Sequence, residues 1–314
     1  MPKPFRFGLT MFPVKPTRQE WIDDVRQAEA AGFDTVTVTD HFRSSGGVFG
    51  SLIAAYDAAP SLRIGTAVLN NDFWLPSLLA REVITADVLS DGHMELGLGA
   101  GWDEPDYLAM GLERQPIGDR ISKLEEAIQI LRMAFAGEPV KFQGTYYNVD
   151  GGAPWPRPVQ ERLPLLIGGG GKRILELAAR SADIVSIHRV LQAGVAASWV
   201  ADAGEHGEHP DAMSERVSWV RAAAGDRFDS LQLHAILLKA VVTDRREEVA
   251  LEVGPPGFSA EAVLASPHFL IGSVDQMVSD LVERRERYGI SYWTLVYGND
   301  VNAFAPVVQR LAGT

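Results

Sequence analysis

The chain has 314 residues, of which 46% are apolar and 22% charged, an ordinary composition with enough apolar material for one large domain or two smaller ones. Its formal charge of −12 argues against nucleic acid or an anionic membrane surface as the main partner. Cysteine is absent, which excludes disulfides, thiolate metal sites and a cysteine nucleophile.

The segment FRFGL (Phe5–Leu9) opens the chain as a strand candidate. Thr17 and Glu20 follow at capping-box spacing, and Trp21, Val25 and Ala28 then share one helical face. Gly32 ends that helix and leads into TVTVTDHF, in which valines alternate with threonines before Asp40 and His41. Further strand candidates are Leu62–Leu69, Met94–Leu98, Leu165–Ile167, Asp183–Ser186, Leu231–Ala240 and Tyr292–Val296, eight in all. Between them run helices. The best, over 119–135, carries Ile121, Leu124, Ile128, Leu131 and Phe135, with Gly137 beyond its end. A second capping box, Ser273 with Gln276, opens a helix that stops before Gly289.

Alternating strands and helices predict a parallel sheet with crossovers, and eight such units predict a (β/α)8 barrel in a single domain spanning residues 1–314. An open, doubly wound sheet is the competitor. The glycines of GLGAGW have the wrong spacing for its dinucleotide fingerprint, and Pro105 follows where a helix should open. Segments 99–117, 137–163 and 241–272 exceed ordinary loop length and are expected to serve binding at the C-terminal face. The opening MPKPFRFGLT lacks the apolar run of a signal peptide, and no stretch of about 18 apolar residues is available to span a bilayer, so a cytoplasmic protein is expected.

In such a barrel the C-terminal strand ends form the active-site face. Asp40 and His41 fall there, either as a turn cap and its neighbour or as an acid–base pair whose carboxylate holds the imidazole tautomer. Asn70 and Asn71 follow the third strand, as turn residues or as ligand contacts. Gly101 and Trp102 follow the fourth, in a tight loop that would also let a flat ring approach the backbone. Gly168–Gly171 run straight into a helix after the fifth, with Lys172 and Arg173 adding charge. This is either a flexible loop or an anion cradle of backbone N–H groups for a phosphate. Arg173 stands where a P-loop would carry Ser or Thr. His188 follows the sixth strand and could line the same face, whereas His234 lies within an apolar strand and is expected to be structural. Asp103, Glu104 and Asp106 are expected in a solvated turn. His206 and His209, with Glu205 and Glu208, are expected in a solvated loop, and no metal site is predicted. Serine-hydrolase and zincin signatures are absent.

Taken together and in order, FGL, TVTVTDHF, LRIGTAVLNNDFWLPSLLARE, GHMELGLGAGW, PRPVQERLPLLIGGGGKRILELAARSADIVSI and SPHFLIGSVDQMVSDLVERRERYGISY resemble the bacterial luciferase-like monooxygenase superfamily. The match covers nearly the whole chain and is nearest the branch that uses the deazaflavin coenzyme F420. The resemblance implies that Asp40 and His41 lie against the deazaflavin ring, with His41 as acid–base group and Asp40 orienting it or bonding the ring. It implies a cis peptide at Ala67–Val68 behind the ring and a coenzyme contact from Asn70. Gly101 and Trp102 would lie over the coenzyme, and Gly169, Gly170, Gly171 and Lys172 would hold its phosphate.

The basic residues that hold substrate phosphate in the sugar-phosphate dehydrogenases of this branch have no convincing counterpart set in the sequence. Phe73, Trp74, Trp102 and Trp155 instead suggest a pocket with apolar walls. The expected activity is hydride transfer between F420 and a small, uncharged or weakly polar substrate. An FMN-dependent monooxygenase using oxygen and a non-catalytic flavin-binding barrel are the alternatives. Dimers are common among such relatives, so the resemblance allows a homodimer.

Overall fold

The computed structural model describes residues 2–11, 15–154, 156–189 and 210–314. Trp155 and the Glu205–His209 group lie outside them. The barrel strands are β1 (Arg6–Met11), β2 (Thr35–Val38), β3 (Arg63–Thr66), β5 (Met94–Gly99), β8 (Leu165–Gly169), β9 (Ile184–Ile187), β10 (Gln232–Leu237) and β13 (Ile290–Val296). They pair in parallel in the order β3-β2-β1-β13-β10-β9-β8-β5, and β3 pairs with β5 to close the ring. All eight expected strands are present, and the (β/α)8 barrel is the fold.

The register follows from burial. Leu9 pairs with Val36 and with Leu295, and Leu96 with Leu165. These strands are covered on both faces, which is why they read as near-continuous apolar runs. The helix Ile117–Phe135 buries Ile121, Leu124, Ile128, Leu131 and Phe135 against the barrel, the face its sequence spacing predicts. Both capping boxes form. Thr17 caps Arg18–Ala30 with Glu20, and Ser273 caps Val274–Tyr288 with Gln276. The latter helix ends at Gly289, whose φ of 75° is the left-handed geometry glycine adopts without strain.

Two strands differ from expectation. The third, expected to run unbroken over Leu62–Leu69, stops at Thr66, and β4 (Leu69–Asn70) pairs with β5 beyond it. Between them the Ala67–Val68 peptide is cis. Here a side chain replaces the backbone ladder: Thr66 Oγ1 accepts from Gly97 N and donates to Gly97 O, each at 2.8 Å. Any Cβ at Gly97 would collide with the Thr66 carbonyl. The seventh, expected over Leu231–Ala240, divides. β11 (Lys239–Val242) leaves the wall and pairs with β12 (Phe269–Gly272) in a separate two-stranded sheet.

The three long segments are also structured. A short helix, Glu104–Ala109, lies in the first. The second holds an antiparallel hairpin of β6 (Lys141–Gln143) and β7 (Asn148–Asp150). The third holds helices Arg246–Val253 and Ala260–Ala265, which pack through Val249 and Val263 onto Phe269 and Ile271 of β12.

Candidate active site

A cavity of about 1400 Å³ opens at the C-terminal ends of the barrel strands. All eleven residues that the resemblance assigns to the coenzyme site line it: Asp40, His41, Ala67, Val68, Asn70, Gly101, Trp102, Gly169, Gly170, Gly171 and Lys172. Barrel closure brings them together, because they stand at the ends of four barrel strands, β2, β3, β5 and β8, and all the strands point the same way.

The acid on His41 is not the one beside it in sequence. His41 Nδ1 lies 2.8 Å from Asp106 Oδ2. Asp106 is buried, and its other oxygen accepts from Arg43 N at 3.1 Å. Burial pushes the Asp106 carboxyl up, but the hydrogen bonds from His41 and the Arg43 backbone outweigh it and hold it below the usual range. Asp103, beside it, is pushed up by burial and by the negative Asp106. The Arg43 guanidinium lies 3.4 Å from each carboxylate, so positive charge already sits between them. His41, Asp103 and Asp106 bring their ligand-type atoms within 4.8 Å of one another. The expectation of a solvated turn fails for Asp106. Pro105 opens the short helix Glu104–Ala109, whose first turn rolls Asp106 and Tyr107 inward and Leu108 outward. That proline, a helix-start residue in a segment read as loop, was the available signal.

Asp40 does something else. Its Oδ2 accepts from Trp74 Nε1 at 2.9 Å and from Asn70 N at 3.3 Å. Burial raises its pKa to about 6, against the downward pull of those two bonds. Asp40 therefore ties the β2 exit to the β4 exit, and Asp106, not Asp40, holds the imidazole. Trp74, expected in the pocket wall, instead supplies this donor and packs edge-on against Phe49 at 5.5 Å. Phe73 and Trp102 do line the cavity, and Trp102 meets His41 edge-to-face at 5.7 Å.

The loop after β5 is held from beneath. Arg120, buried at the start of its helix, donates to the carbonyls of Ala100 (2.7 Å), Gln115 (2.8 Å) and Gly101. Gly101 has φ +74°, and a side chain there would strike Tyr107 Oη and Asn70 Oδ1. Asn70 Oδ1 itself accepts from Tyr107 Oη at 3.3 Å and Asp72 N at 3.1 Å. Sequence inspection passed over Arg120 because nothing in a helical stripe distinguishes an arginine facing solvent from one plugging a loop.

At the glycine run, β8 ends at Gly169 and the helix Lys172–Ser181 starts immediately, N-capped by Gly171 with no side-chain cap. Its first N–H groups are thus left for a ligand or solvent. The glycines serve two purposes. A Cβ on Gly170 would collide with the carbonyls of His188 and Arg189, so that position is set by packing against the β9 exit, whereas a Cβ on Gly171 meets nothing within 4 Å. Lys172 Nζ lies 3.9 Å from Glu176 and remains largely exposed. Arg173 turns away to Gly118 O and Ser122 Oγ, at 2.8 and 2.7 Å.

A cavity this size exceeds the roughly 300–1,000 Å³ of most single-ligand pockets and has room for a coenzyme with a substrate. The residues fit a phosphorylated, flat, conjugated group. They offer an uncapped helix start and an apolar wall at Val68.

Among known proteins, 32% identity over 188 residues relates the chain to an F420-dependent glucose-6-phosphate dehydrogenase of Microbacterium testaceum, covering 57% of this chain and 55% of that one. The chain thus spans about half the length of the curated relatives it matches. Among solved structures it superposes on the coenzyme F420 dependent tetrahydromethanopterin reductase of Methanopyrus kandleri with a TM-score of 0.76, at 18% identity over 97% of both chains. An F420-dependent secondary alcohol dehydrogenase in complex with an F420–acetone adduct gives the same score at 17% identity, over 98% of this chain and 99% of that one. At such identities the superpositions speak for the fold. The family model for luciferase-like monooxygenases matches residues 7–289, and with the barrel and its rim so arranged, this chain belongs to that family.

Proposed function

We propose that the chain is an oxidoreductase that moves a hydride between coenzyme F420 and a small, weakly polar organic substrate. The observation that carries the reading is the convergence on one cavity of the His41–Asp106 pair, the Val68 wall and the uncapped helix start at Gly171. Curated relatives named as F420-dependent support the choice of coenzyme.

When bound, the deazaflavin supplies two-electron hydride chemistry. The chain supplies the rest. Gly171 and the helix behind it hold the phosphate. Val68 and Asn70 form the wall for the ring, with Gly101 and Trp102 over it. A carboxylate only accepts, so the ionised Asp106 fixes the proton of His41 on Nδ1 and leaves Nε2 as the atom that exchanges a proton with the substrate. Phe73, Trp102, Ile236 and Leu238 add apolar side chains to the remaining wall, beside Arg114, Arg189 and Lys239, and the apolar part favours a weakly polar substrate.

The test is a pair of fluorescence titrations with F420 and with FMN, followed by a turnover screen with the better binder. Saturable F420 binding with FMN at least about tenfold weaker is expected. Tight FMN binding without F420 binding would reject this reading in favour of an oxygen-using flavin enzyme.

A further inference from the structure

A second hollow, of about 470 Å³, opens at the N-terminal ends of the barrel strands, the end opposite the cavity described above. Arg162, Pro164, Asp183, Arg227 and Ser230 line it. Pro164 and Asp183 stand immediately before β8 and β9, and Arg227 and Ser230 belong to the 3-10 turn Gly225–Ser230 that leads towards β10. The proposed reaction uses none of these residues.

The charges at this hollow do not balance. Asp183 is the one acid that lines it. Its Oδ1 accepts from Arg162 Nε at 2.6 Å. Its Oδ2 accepts from Arg132 Nη2 at 2.7 Å and from Leu165 N at 2.9 Å. Burial pushes the Asp183 carboxyl up, but the two arginines and the Leu165 backbone outweigh it and hold it below the usual range. Both oxygens of this ionised acid are therefore already engaged. Arg227 brings a third guanidinium. Burial lowers its pKa and Asp183 raises it, while the positive Arg162 and Arg132 push it down again. Three cations thus share one carboxylate, in a chain whose formal charge is −12. Lys3 adds a further cation, its Nζ donating to Ser230 O at 2.6 Å, and the acid acting on it is Asp229.

Two of the three arginines brace a helix end. Arg227 donates to Ala179 O at 2.5 Å and to Ala182 O at 2.6 Å, and Arg132 donates to Ser181 O at 2.9 Å. Those carbonyls close the helix Lys172–Ser181, where cations are favoured. Such bracing does not account for Arg162. A guanidinium carries five N–H donors. Among the described residues Arg162 spends one of them, on Asp183, and keeps four, while Arg227 spends two and keeps three. The bond through Nε fixes the direction of the Arg162 fork, and its side chain stays 64% exposed. A planar fork with unspent N–H pairs is suited to the oxygens of a phosphate group.

We propose that this hollow is a phosphate site separate from the catalytic cavity, in which Arg162 and Arg227 hold either the free ion or the phosphate of a small phosphorylated metabolite. Its volume falls within the roughly 300–1,000 Å³ of single-ligand pockets, enough for a phosphate ester with a sugar-sized body. Asp183 is a positioning residue: it aims Arg162 and leaves the hollow with surplus positive charge.

The test is a pair of ¹H–¹⁵N titrations of the full chain at constant ionic strength, one with inorganic phosphate and one with ribose 5-phosphate. The expected result is saturable shifts of the Leu165 amide and of Arg162 Nε–H, with a Kd below about 1 mM. Arg162→Gln should weaken that binding at least about tenfold. Gly171→Leu, which alters the glycine run of the other cavity, should leave it unchanged. Tighter binding of inorganic phosphate marks the free ion as the ligand, and tighter binding of the ester marks a phosphorylated metabolite. Shifts confined to Gly171 and Lys172, shifts at Leu165 that survive Arg162→Gln, or no saturation with either probe would overturn the site. Should Arg162→Gln fail to fold, sodium chloride at matched ionic strength decides with the wild-type chain: equal shifts at Leu165 would overturn the proposal, and shifts specific to phosphate would support it. No arm uses F420, so the result stands apart from that of the proposed function.

Discussion

His41 and Asp106 are 65 positions apart in sequence and 2.8 Å apart in space. One follows β2, the other sits in the short helix after β5, and the barrel brings them to one rim. The Nδ1 of the imidazole is thereby occupied by a buried carboxylate, and its orientation and tautomer are set before any ligand arrives.

If that pair carries the proton, Asp106→Ala should lower turnover by about 10²-fold, the lower end of what positioned acid–base groups contribute, with little change in coenzyme affinity. Asp106→Asn keeps the shape and loses the obligate acceptor, and should be nearly as slow. Steady-state kinetics beside an F420 titration separate the two effects. Normal turnover in either variant would remove Asp106 from the mechanism.

Asp40 should leave a signature in stability. Its pKa rises from 3.8 to about 6 on folding, so between those values the folded chain holds a proton that the unfolded chain has released. Its contribution is present below pH ~4 and is lost as pH rises through ~6. Asp40→Asn cannot lose a proton. Its melting temperature relative to the wild type should therefore climb from about pH 4 to about pH 7. A difference that stays flat or falls over this range would contradict the buried-acid assignment.

Gly171 and Gly170 make a paired test of the glycine run. Gly171→Leu adds a side chain where a Cβ meets nothing, so the fold should survive while F420 affinity drops at least about tenfold. Gly170→Leu drives into the His188 and Arg189 carbonyls and should lower the melting temperature as well. Unchanged coenzyme affinity in a well-folded Gly171→Leu protein would rule out the phosphate role of this loop.

Arg120→Met should cost about 2–4 kcal/mol in chemical unfolding, since a buried charge satisfied by three carbonyls is removed and those carbonyls lose their donor. The loop carrying Gly101 and Trp102 would lose its support. A variant as stable as the wild type would show that the loop is held by other contacts.

Much of the barrel was legible because helical stripes and β-branched runs are local signals. Trp21, Val25 and Ala28, or Ile121 through Phe135, announce a buried face by spacing alone, and Thr17–Glu20 announces a helix start. The rim residues were legible for a related reason: Asp40–His41 and the Gly168–Gly171 run break the apolar pattern just where a strand ends. The division of Leu231–Ala240 was not legible. Lys239–Val242 reads as a continuing strand until β12, about 30 residues later in sequence, arrives to pair with it.

The amino-acid order by itself determined the alternation of strands and helices, the helix caps, and which residues stand at strand tips, because those depend on near neighbours along the chain. Only the tertiary structure decided that Asp106 rather than Asp40 grips His41, that Arg120 props the loop of Gly101, and that His188 is wired through Ser186 and His234 to Thr294. Each of those contacts joins different strands or their loops, and a contact across a closed sheet is fixed by register and twist, which no short stretch of sequence contains.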